Sequence, residues 1–187
     1  MNYEILLAGF GGQGILFAGK LLVNLGLFDD KEVSWLPSYG PEMRGGTCNC
    51  SVCVSDEPIG SPLVVNPNVL IAMNTPSLEK FIDKVQPGGL VIVDSSMVDA
   101  DITRTDVKVC KVPATALTDT DPNLKGGANI ILAGKFIAET GFTSTEKIRT
   151  VFEKIVPPHK SALIENNLKA IEIGMNYGKN GSVVKTA

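Results

Sequence analysis

The stretch Tyr3-Glu4-Ile5-Leu6-Leu7-Ala8-Gly9-Phe10-Gly11-Gly12-Gln13-Gly14 decides the fold of this chain. Its first half is an apolar run that predicts a buried strand, and its second half is a glycine-rich loop. The residues that follow predict a helix, since apolar side chains recur at helical spacing: Ile15, Ala18, Leu22 and Leu25. Strand, glycine loop and helix, in this order, are the setting that a phosphate- or nucleotide-binding loop requires.

The glycine loop satisfies the spacing G-x-G-x-x-G, in which small residues let the backbone turn tightly and approach a ligand. Free N–H groups at the start of the following helix attract an anion. The candidate binding residues in this loop are Gly9, Gly11, Gly12, Gln13 and Gly14. The alternative interpretation is a tight turn that only packs the helix on the strand.

Two established nucleotide sites are disfavoured. An NAD site needs an acidic residue at the carboxyl end of the next strand, but that strand, near 31–36, ends in Pro37-Ser38-Tyr39. The nearby acidic residues lie at its other end: Asp29, Asp30 and Glu32. A P-loop is excluded because Gly19-Lys20 lies inside the predicted helix and is followed by Leu21 rather than Ser or Thr.

A second loop, Ser38-Tyr39-Gly40-Pro41-Glu42-Met43-Arg44-Gly45-Gly46-Thr47, carries polar and charged side chains between glycines. Arg44 offers a planar fork suited to a carboxylate or phosphate. The candidate binding residues are Ser38, Tyr39, Glu42, Arg44, Gly45 and Gly46, although a plain surface turn is the alternative. Both loops follow strands expected to be parallel, so we expect them to emerge at one sheet edge and to form a shared crevice for an anion or a partner.

Composition limits the classes of function. The chain has 187 residues, 44% of them hydrophobic and 20% charged, which indicates one globular domain. A net charge of −3 and a pI of about 5.2 argue against nucleic acid as a partner. Apolar runs are far shorter than the ~20 residues that a membrane span needs. The N-terminus enters a strand directly, which predicts no signal peptide and a cytoplasmic location.

Neither a metal site nor a catalytic group is predicted. Strand alternation places Cys48 and Cys50 on one face and Cys53 on the other, so three thiolates would not meet one ion. Cys110 belongs to another predicted strand and is expected to be a small buried side chain. His159, the only histidine, is expected in an exposed loop, away from any Ser-His-Asp or Cys-His arrangement.

The rest of the chain alternates between predicted strands, at 69–73, 89–94 and 107–112, and predicted helices, at 77–85 and 126–140. A further helix is predicted to begin at a capping box, Thr143-Ser144-Thr145-Glu146, and a last one at about Ser161. Thr75 or Ser77 is expected to cap the helix leading to Phe81. We predict an α/β fold: a Rossmann-like, mostly parallel sheet flanked by helices, in a single domain, 1–178, with a helical C-terminal third and a flexible tail, 179–187.

The motifs above resemble the gamma subunit of 2-oxoacid:ferredoxin oxidoreductases, especially the 2-oxoglutarate and 2-oxoisovalerate members. The resemblance rests on 7–14 and on Ser38-Tyr39-Gly40-Pro41-Glu42-Met43-Arg44-Gly45-Gly46, with Gly60-Ser61-Pro62 and Pro87-Gly88-Gly89, and runs from Asn2 to about Tyr177. Cys48 and Cys53 depart from the small and aliphatic residues expected there, without breaking a motif.

The resemblance implies a multi-subunit enzyme that oxidatively decarboxylates a 2-oxoacid with CoA, thiamine diphosphate, Mg²⁺ and iron–sulfur clusters, and reduces ferredoxin. This chain has no Gly-Asp-Gly thiamine motif and no ferredoxin-type cysteine run, so these cofactors are expected on alpha and beta subunits, with a delta subunit as a further candidate partner. The chain is expected to be inactive alone. The competing hypothesis is a stand-alone nucleotide-binding or regulatory module.

Overall fold

A computed structural model describes residues 2–39 and 47–178 and confirms the α/β fold. Six strands form one sheet: β1 (Asn2–Phe10), β2 (Glu32–Tyr39), β3 (Thr47–Ser55), β4 (Val69–Ala72), β5 (Leu90–Asp94) and β6 (Lys108–Val112). The helices are α1 (Ile15–Phe28), α2 (Thr75–Phe81), α3 (Ala114–Asp119), α4 (Ala128–Thr140), α5 (Thr145–Ile155) and α6 (Ala162–Asn176). Short 3₁₀ turns cover Ile82–Lys84, Pro122–Leu124 and Pro158–Lys160. The predicted tail, 179–187, lies outside the described residues.

The strand order β2-β3-β1-β4-β5-β6 differs from a simple Rossmann order at one side. Strands β1, β4, β5 and β6 pair in parallel, whereas β3 is antiparallel to both β1 and β2. The strand after α1 is therefore not the neighbour of β1, as a dinucleotide-binding unit would require. Strand β2 nevertheless runs in the same direction as β1, because two successive antiparallel pairings restore it.

Helices cover the two faces of the sheet unequally. The larger apolar core packs α1, α4, α5 and α6 against one face, through residues such as Ile5, Leu22 and Phe136. The smaller core packs α2 against the opposite face, through Leu78 and Phe81. None of the helices within 2–39 and 47–178 combines the length and apolarity needed to span a bilayer.

Helices α4 and α6 cross in backbone contact. A Cβ on Gly134 would lie 2.2 Å from the carbonyl oxygen of Ile171, and a Cβ on Gly174 would lie 1.9 Å from that of Ile131. Only glycine permits such an approach, because any side chain would enter the backbone of the other helix. This crossing fixes α4 and α6 against each other.

The predicted caps of two helices were wrong. Helix α5 begins after Ser144, which makes no side-chain capping bond, and the Thr143 hydroxyl lacks a hydrogen-bond partner among the described residues. Asn74, rather than Thr75 or Ser77, caps α2: its side-chain oxygen accepts a hydrogen bond from the Ser77 backbone N–H at 2.9 Å. Several polar residues at each helix start are able to cap the helix, so tertiary packing determines which of them does. Helix α3 was not predicted, because its six residues form too short a stripe to show periodicity.

Candidate functional site at the carboxyl edge of the sheet

The glycine loop between β1 and α1 is a closed turn. The backbone N–H of Gln13 donates to the carbonyl oxygen of Phe10 at 3.1 Å. Gly12 and Gly14 have φ values of 102° and 76°, in the left-handed region that disfavours other residues. Gly14 then serves as the N-cap of α1 without a side-chain capping bond. The loop therefore reaches the start of α1 in the geometry expected for a tight, ligand-approaching turn.

Gln13 ties this loop to the neighbouring strand. Its side-chain oxygen accepts hydrogen bonds from the backbone N–H of Phe10 at 2.6 Å and from the side-chain nitrogen of Asn74 at 2.9 Å. Its side-chain nitrogen donates to the carbonyl oxygen of Met73 at 3.2 Å. Gly9 leaves room for this arrangement, since a Cβ there would lie 2.7 Å from the Gln13 oxygen. The Gln13 side chain thus holds the loop in place through hydrogen bonds within the chain.

Asn74 is a site residue whose role the sequence did not reveal. It lies at the carboxyl end of β4, is 2% exposed, and binds Gln13 while capping α2. An asparagine directly after a buried strand and before Thr-Pro was the available signal. Asp94, at the end of β5, is also held by hydrogen bonds within the chain: its carboxylate accepts from the Thr115 hydroxyl at 2.6 Å and from the Ser96 N–H at 3.1 Å.

Asn129 supports the other end of the glycine loop. Its side-chain nitrogen donates to the carbonyl oxygen of Gly14 at 2.9 Å. A Cβ on Gly14 would lie 2.5 Å from that nitrogen, so the contact requires glycine as well as its positive φ. Asn129 was missed because the prediction treated 128–131 only as a helix start, although an amide inside this apolar run was a usable signal.

The two predicted loops begin at the same edge of the sheet. Cys48 is the register partner of Gly9 on one side and of Tyr39 on the other, and Thr47 faces Phe10. The ends of β1 and β2 and the start of β3 therefore lie together at one edge of the sheet. This is the carboxyl edge of the parallel strands, where open α/β sheets bind ligands. Whether the loops form one crevice stays a prediction.

The charged part of the second loop lies outside the described residues. These candidate residues are Glu42, Arg44, Gly45 and Gly46, and the structure gives no account of them. Ser38 is exposed and pairs with Asn49 on β3, beside Leu36 on the α2 side of the sheet. The structure thus places Ser38 and the backbone of Tyr39 at the edge of the sheet that carries Gly9, and the Ser38 side chain lies on the α2 side.

The cysteines occupy both faces of the sheet, as strand alternation predicted. Cys48 and Cys50 belong to the larger core and Cys53 to the smaller one. Burial raises the pKa of all four thiols, that of Cys50 to about 12. Within the described part of the chain, no group of three histidine, cysteine or acidic side chains is placed to hold a metal ion. An iron–sulfur cluster does not fit these protonated, divided thiols.

His159 is exposed in the turn before α6, as predicted. No titratable side chain of the glycine loop is available for proton transfer, since the loop consists of glycines, Phe10 and Gln13. The fold and site together define an α/β protein that presents a glycine loop at the carboxyl edge of its parallel strands.

Sequence comparison identifies the family. The family described as pyruvate ferredoxin/flavodoxin oxidoreductase matches residues 4–177. The chain therefore belongs to this family, as a gamma-type subunit of a ferredoxin oxidoreductase complex that acts on the oxo group of its donor.

Individual relatives support this identification. The chain is 36% identical to the 2-oxoglutarate synthase subunit KorC of Methanocaldococcus jannaschii, over 96% of this chain and 95% of that one. It is also 36% identical to the ketoisovalerate oxidoreductase subunit VorA of Methanothermobacter thermautotrophicus, covering 94% of this chain but 36% of that longer protein. The crystal structure of a keto/oxoacid ferredoxin oxidoreductase gamma subunit from Geobacter sulfurreducens superimposes with a TM-score of 0.77, at 28% identity over 93% of this chain and 96% of that one.

Proposed function

We propose that this chain is the gamma subunit of a cytoplasmic enzyme that converts a 2-oxoacid and CoA to an acyl-CoA and CO₂, and passes the two released electrons to ferredoxin. We favour 2-oxoglutarate as the substrate, because the similarity to KorC extends over nearly the full length of both chains. The equal identity to VorA leaves a branched 2-oxoacid as the second candidate.

The sheet edge is the observation that carries this proposal. Gly9 of β1 and Tyr39 of β2 both pair with Cys48 of β3, so these two strands end at the same edge of the sheet. In the proposal, backbone N–H groups of 11–14 and the guanidinium of Arg44 face a phosphate or carboxylate group at the junction with alpha and beta subunits.

Companion subunits supply the chemistry of the proposed complex. Thiamine diphosphate with Mg²⁺ would supply the decarboxylation chemistry, and iron–sulfur clusters would supply electron transfer. Among the described residues, no group of three histidine, cysteine or acidic side chains is placed to hold a metal ion. The chain contributes binding and positioning, and no proton-transfer step is assigned to it. The longer VorA chain, in which the matching region is only one part, is consistent with a domain that works against a neighbouring one.

The test is an anaerobic pull-down of the tagged chain from its native cell, followed by viologen reduction with each 2-oxoacid in the presence of CoA and thiamine diphosphate. We expect a brown, multi-subunit eluate that is most active with 2-oxoglutarate. Highest activity with 2-oxoisovalerate or pyruvate would reject 2-oxoglutarate as the substrate but would leave the assignment as a gamma subunit intact. A colourless, partner-free chain that binds a nucleotide would instead support the stand-alone module.

Arg44→Ala tests the loop itself. We expect this variant to lower turnover of the complex at least about tenfold, because a charge-assisted contact to an anion is lost. Arg149→Ala is the matched control, since Arg149 is exposed on α5 and pairs with the exposed Glu165. Unchanged assembly and turnover in Arg44→Ala would show that this loop does not face the reacting site.

A further inference from the structure

A groove lies on the α2 side of the sheet, over strands β2 and β3. Strand β2 supplies Leu36 and Ser38 to its lining, and β3 supplies Asn49 and Ser51. The rest of the lining comes from the segment 63–65, from the end of α2 and from the 3₁₀ turn after it. Helix α2 itself packs on β1 and β4. Leu36 and Ser38 of the edge strand are therefore left exposed on this side.

Exposed apolar side chains converge on this groove. Leu63 and Val65 are each 58% exposed, and Leu36 is 37% exposed. All three line the groove. Single exposed apolar residues are ordinary on a protein surface, whereas a cluster of them around one concavity is typical of an interaction surface.

The segment that carries Leu63 and Val65 is held by hydrogen bonds. The backbone N–H of Val64 donates to the Ser51 hydroxyl oxygen at 3.2 Å, and that of Leu63 donates to the Ser61 hydroxyl oxygen at 3.2 Å. Val64 is buried in the smaller core. Leu63 and Val65 flank this anchored residue, so their exposure is a fixed feature of the folded surface.

Lysines give the groove a positive rim. Lys80 and Lys84 line it, and their Nζ atoms lie 5.3 Å and 5.5 Å from the centre of the Phe81 ring. Across residues 2–39 and 47–178, neither lysine forms an ion pair. None of the described lining residues is acidic, although the chain has a net charge of −3. A partner with acidic side chains would complement this rim.

The size of the groove favours a side chain of a docked protein over a free ligand. Its volume is about 270 Å³. Small-molecule sites typically enclose roughly 300–1,000 Å³ and are more closed. Protein interfaces are instead anchored by a few apolar side chains that enter such concavities, with polar and charged groups around them.

Charge and backbone chemistry disfavour three other occupants. A two-fold contact between copies of this chain would bring the lysine rim against itself. The segment 179–187 contains lysines, Lys179 and Lys185, and no acidic residue, so it carries the same sign of charge as the rim. An added strand on the edge of β2 would meet Pro37, which has no N–H group to donate. The remaining candidate is a different, acidic chain.

We propose that this groove receives an apolar side chain from an acidic surface of a companion subunit of the same enzyme complex. Leu36, Leu63 and Val65 contact the inserted side chain, and carboxylates around it pair with Lys80 and Lys84. The inference rests on the proposed function, because it requires companion subunits. It adds a docking surface on the α2 side of the sheet, apart from the glycine loop.

The test is an anaerobic pull-down of the tagged full-length chain from its native cell, with the recovered companion subunits quantified by mass spectrometry. We expect Leu63→Asp to lower their recovery at least about tenfold, because a charge enters the apolar contact. Leu27→Asp is the matched control, since Leu27 is 48% exposed at the end of α1 and lies outside the groove. Thermal melting of both purified variants checks that they fold.

A second pair of variants tests the charge of the partner. Lys80→Glu combined with Lys84→Glu should lower the recovery at least about tenfold at low salt and less at high salt, because salt screens the repulsion. Lys111→Glu combined with Lys154→Glu is the control, since both lysines are exposed and lie outside the groove. Equal recovery with the two double variants would overturn the acidic partner.

The outcomes separate this inference from the proposed function. Companion subunits that are recovered equally well with Leu63→Asp and Leu27→Asp would overturn the docking surface and leave the gamma-subunit assignment standing. A pull-down of the unmodified chain without companion subunits would reject both. Light scattering of the isolated chain provides the last check. A dimer that Leu63→Asp abolishes would make the groove a contact between copies and overturn the inference.

Discussion

The side-chain oxygen of Gln13 accepts a hydrogen bond from the side-chain nitrogen of Asn74 at 2.9 Å, which ties the glycine loop after β1 to the end of β4. Asn74 in turn caps α2 through its own side-chain oxygen. The loop, the strand end and the helix start thus form one hydrogen-bonded unit at the carboxyl edge of the parallel strands. A loop held in this way loses little conformational entropy when it meets a partner or ligand.

Replacing Gln13 should destabilise this unit. Gln13→Ala removes the side-chain bonds to Phe10, Asn74 and Met73, so we expect the free energy of unfolding to fall by about 2 kcal/mol. Urea denaturation measures this change. Asn24→Ala is the control, since the Asn24 side chain makes a solvent-exposed hydrogen bond to the Lys20 carbonyl, whose loss should cost less than about 0.5 kcal/mol. Equal stability of the two variants would show that the Gln13 hydrogen bonds do not stabilise the loop.

The crossing of α4 and α6 should reject any side chain at Gly174. The Cβ of Gly174→Ala would lie 1.9 Å from the Ile131 carbonyl oxygen, so the helices must separate. We expect a loss of about 3 kcal/mol or more, visible as a lower melting temperature. Gly60→Ala is the control, because Gly60 is exposed and a Cβ there meets nothing within 4 Å. A melting temperature like that of the control would show that the crossing is looser.

The thiols should react slowly in the native chain. Burial raises the pKa of Cys50 to about 12 and raises those of Cys48, Cys53 and Cys110. Since the thiolate is the reactive form, a disulfide reagent at pH 8 should modify the half-buried Cys110 first and the others only after unfolding. Mass spectrometry of the modified chain identifies the order. Rapid modification of Cys50 in the folded chain would contradict its burial.

A carboxylate between two lysines should make stability sensitive to acid. The Glu139 oxygens lie 2.5 Å from Lys135 Nζ and 2.6 Å from Lys108 Nζ, and these hydrogen bonds lower the Glu139 pKa from its usual 4.5. Because the folded-state pKa is the lower one, this contribution is complete above pH 4.5 and is lost as the pH falls through the folded-state value.

Glu139→Gln should therefore cost about 1 kcal/mol at neutral pH and progressively less below pH 4.5. Melting temperatures of the variant and the unmodified chain should converge as the pH falls. Glu79→Gln, which changes an exposed α2 residue by the same charge, should give a small difference. A constant gap between Glu139→Gln and the unmodified chain at every pH would contradict the assignment.

The strands and helices of this chain, and the side of the sheet on which a strand residue lies, were predictable from the sequence because they depend on local spacing. The apolar run 3–8 and the glycines after it predicted β1 and the turn into α1, and alternation predicted the opposite facing of Cys50 and Cys53. The start of α5 was predicted within the capping box, but that box makes no side-chain capping bond, and the cap of α2 is Asn74 rather than Thr75 or Ser77. The choice among neighbouring capping residues depends on tertiary contacts.

The sequence by itself determined the α/β class, the glycine turn and the family, because backbone propensity, side-chain period and motif spacing are properties of neighbouring residues. Only the tertiary structure decided that β3 lies between β1 and β2, that Gln13 meets Asn74, and that Leu36, Leu63 and Lys80 line one groove. These pairings join segments far apart along the chain. Their geometry follows from how the whole core packs, and no local pattern records it.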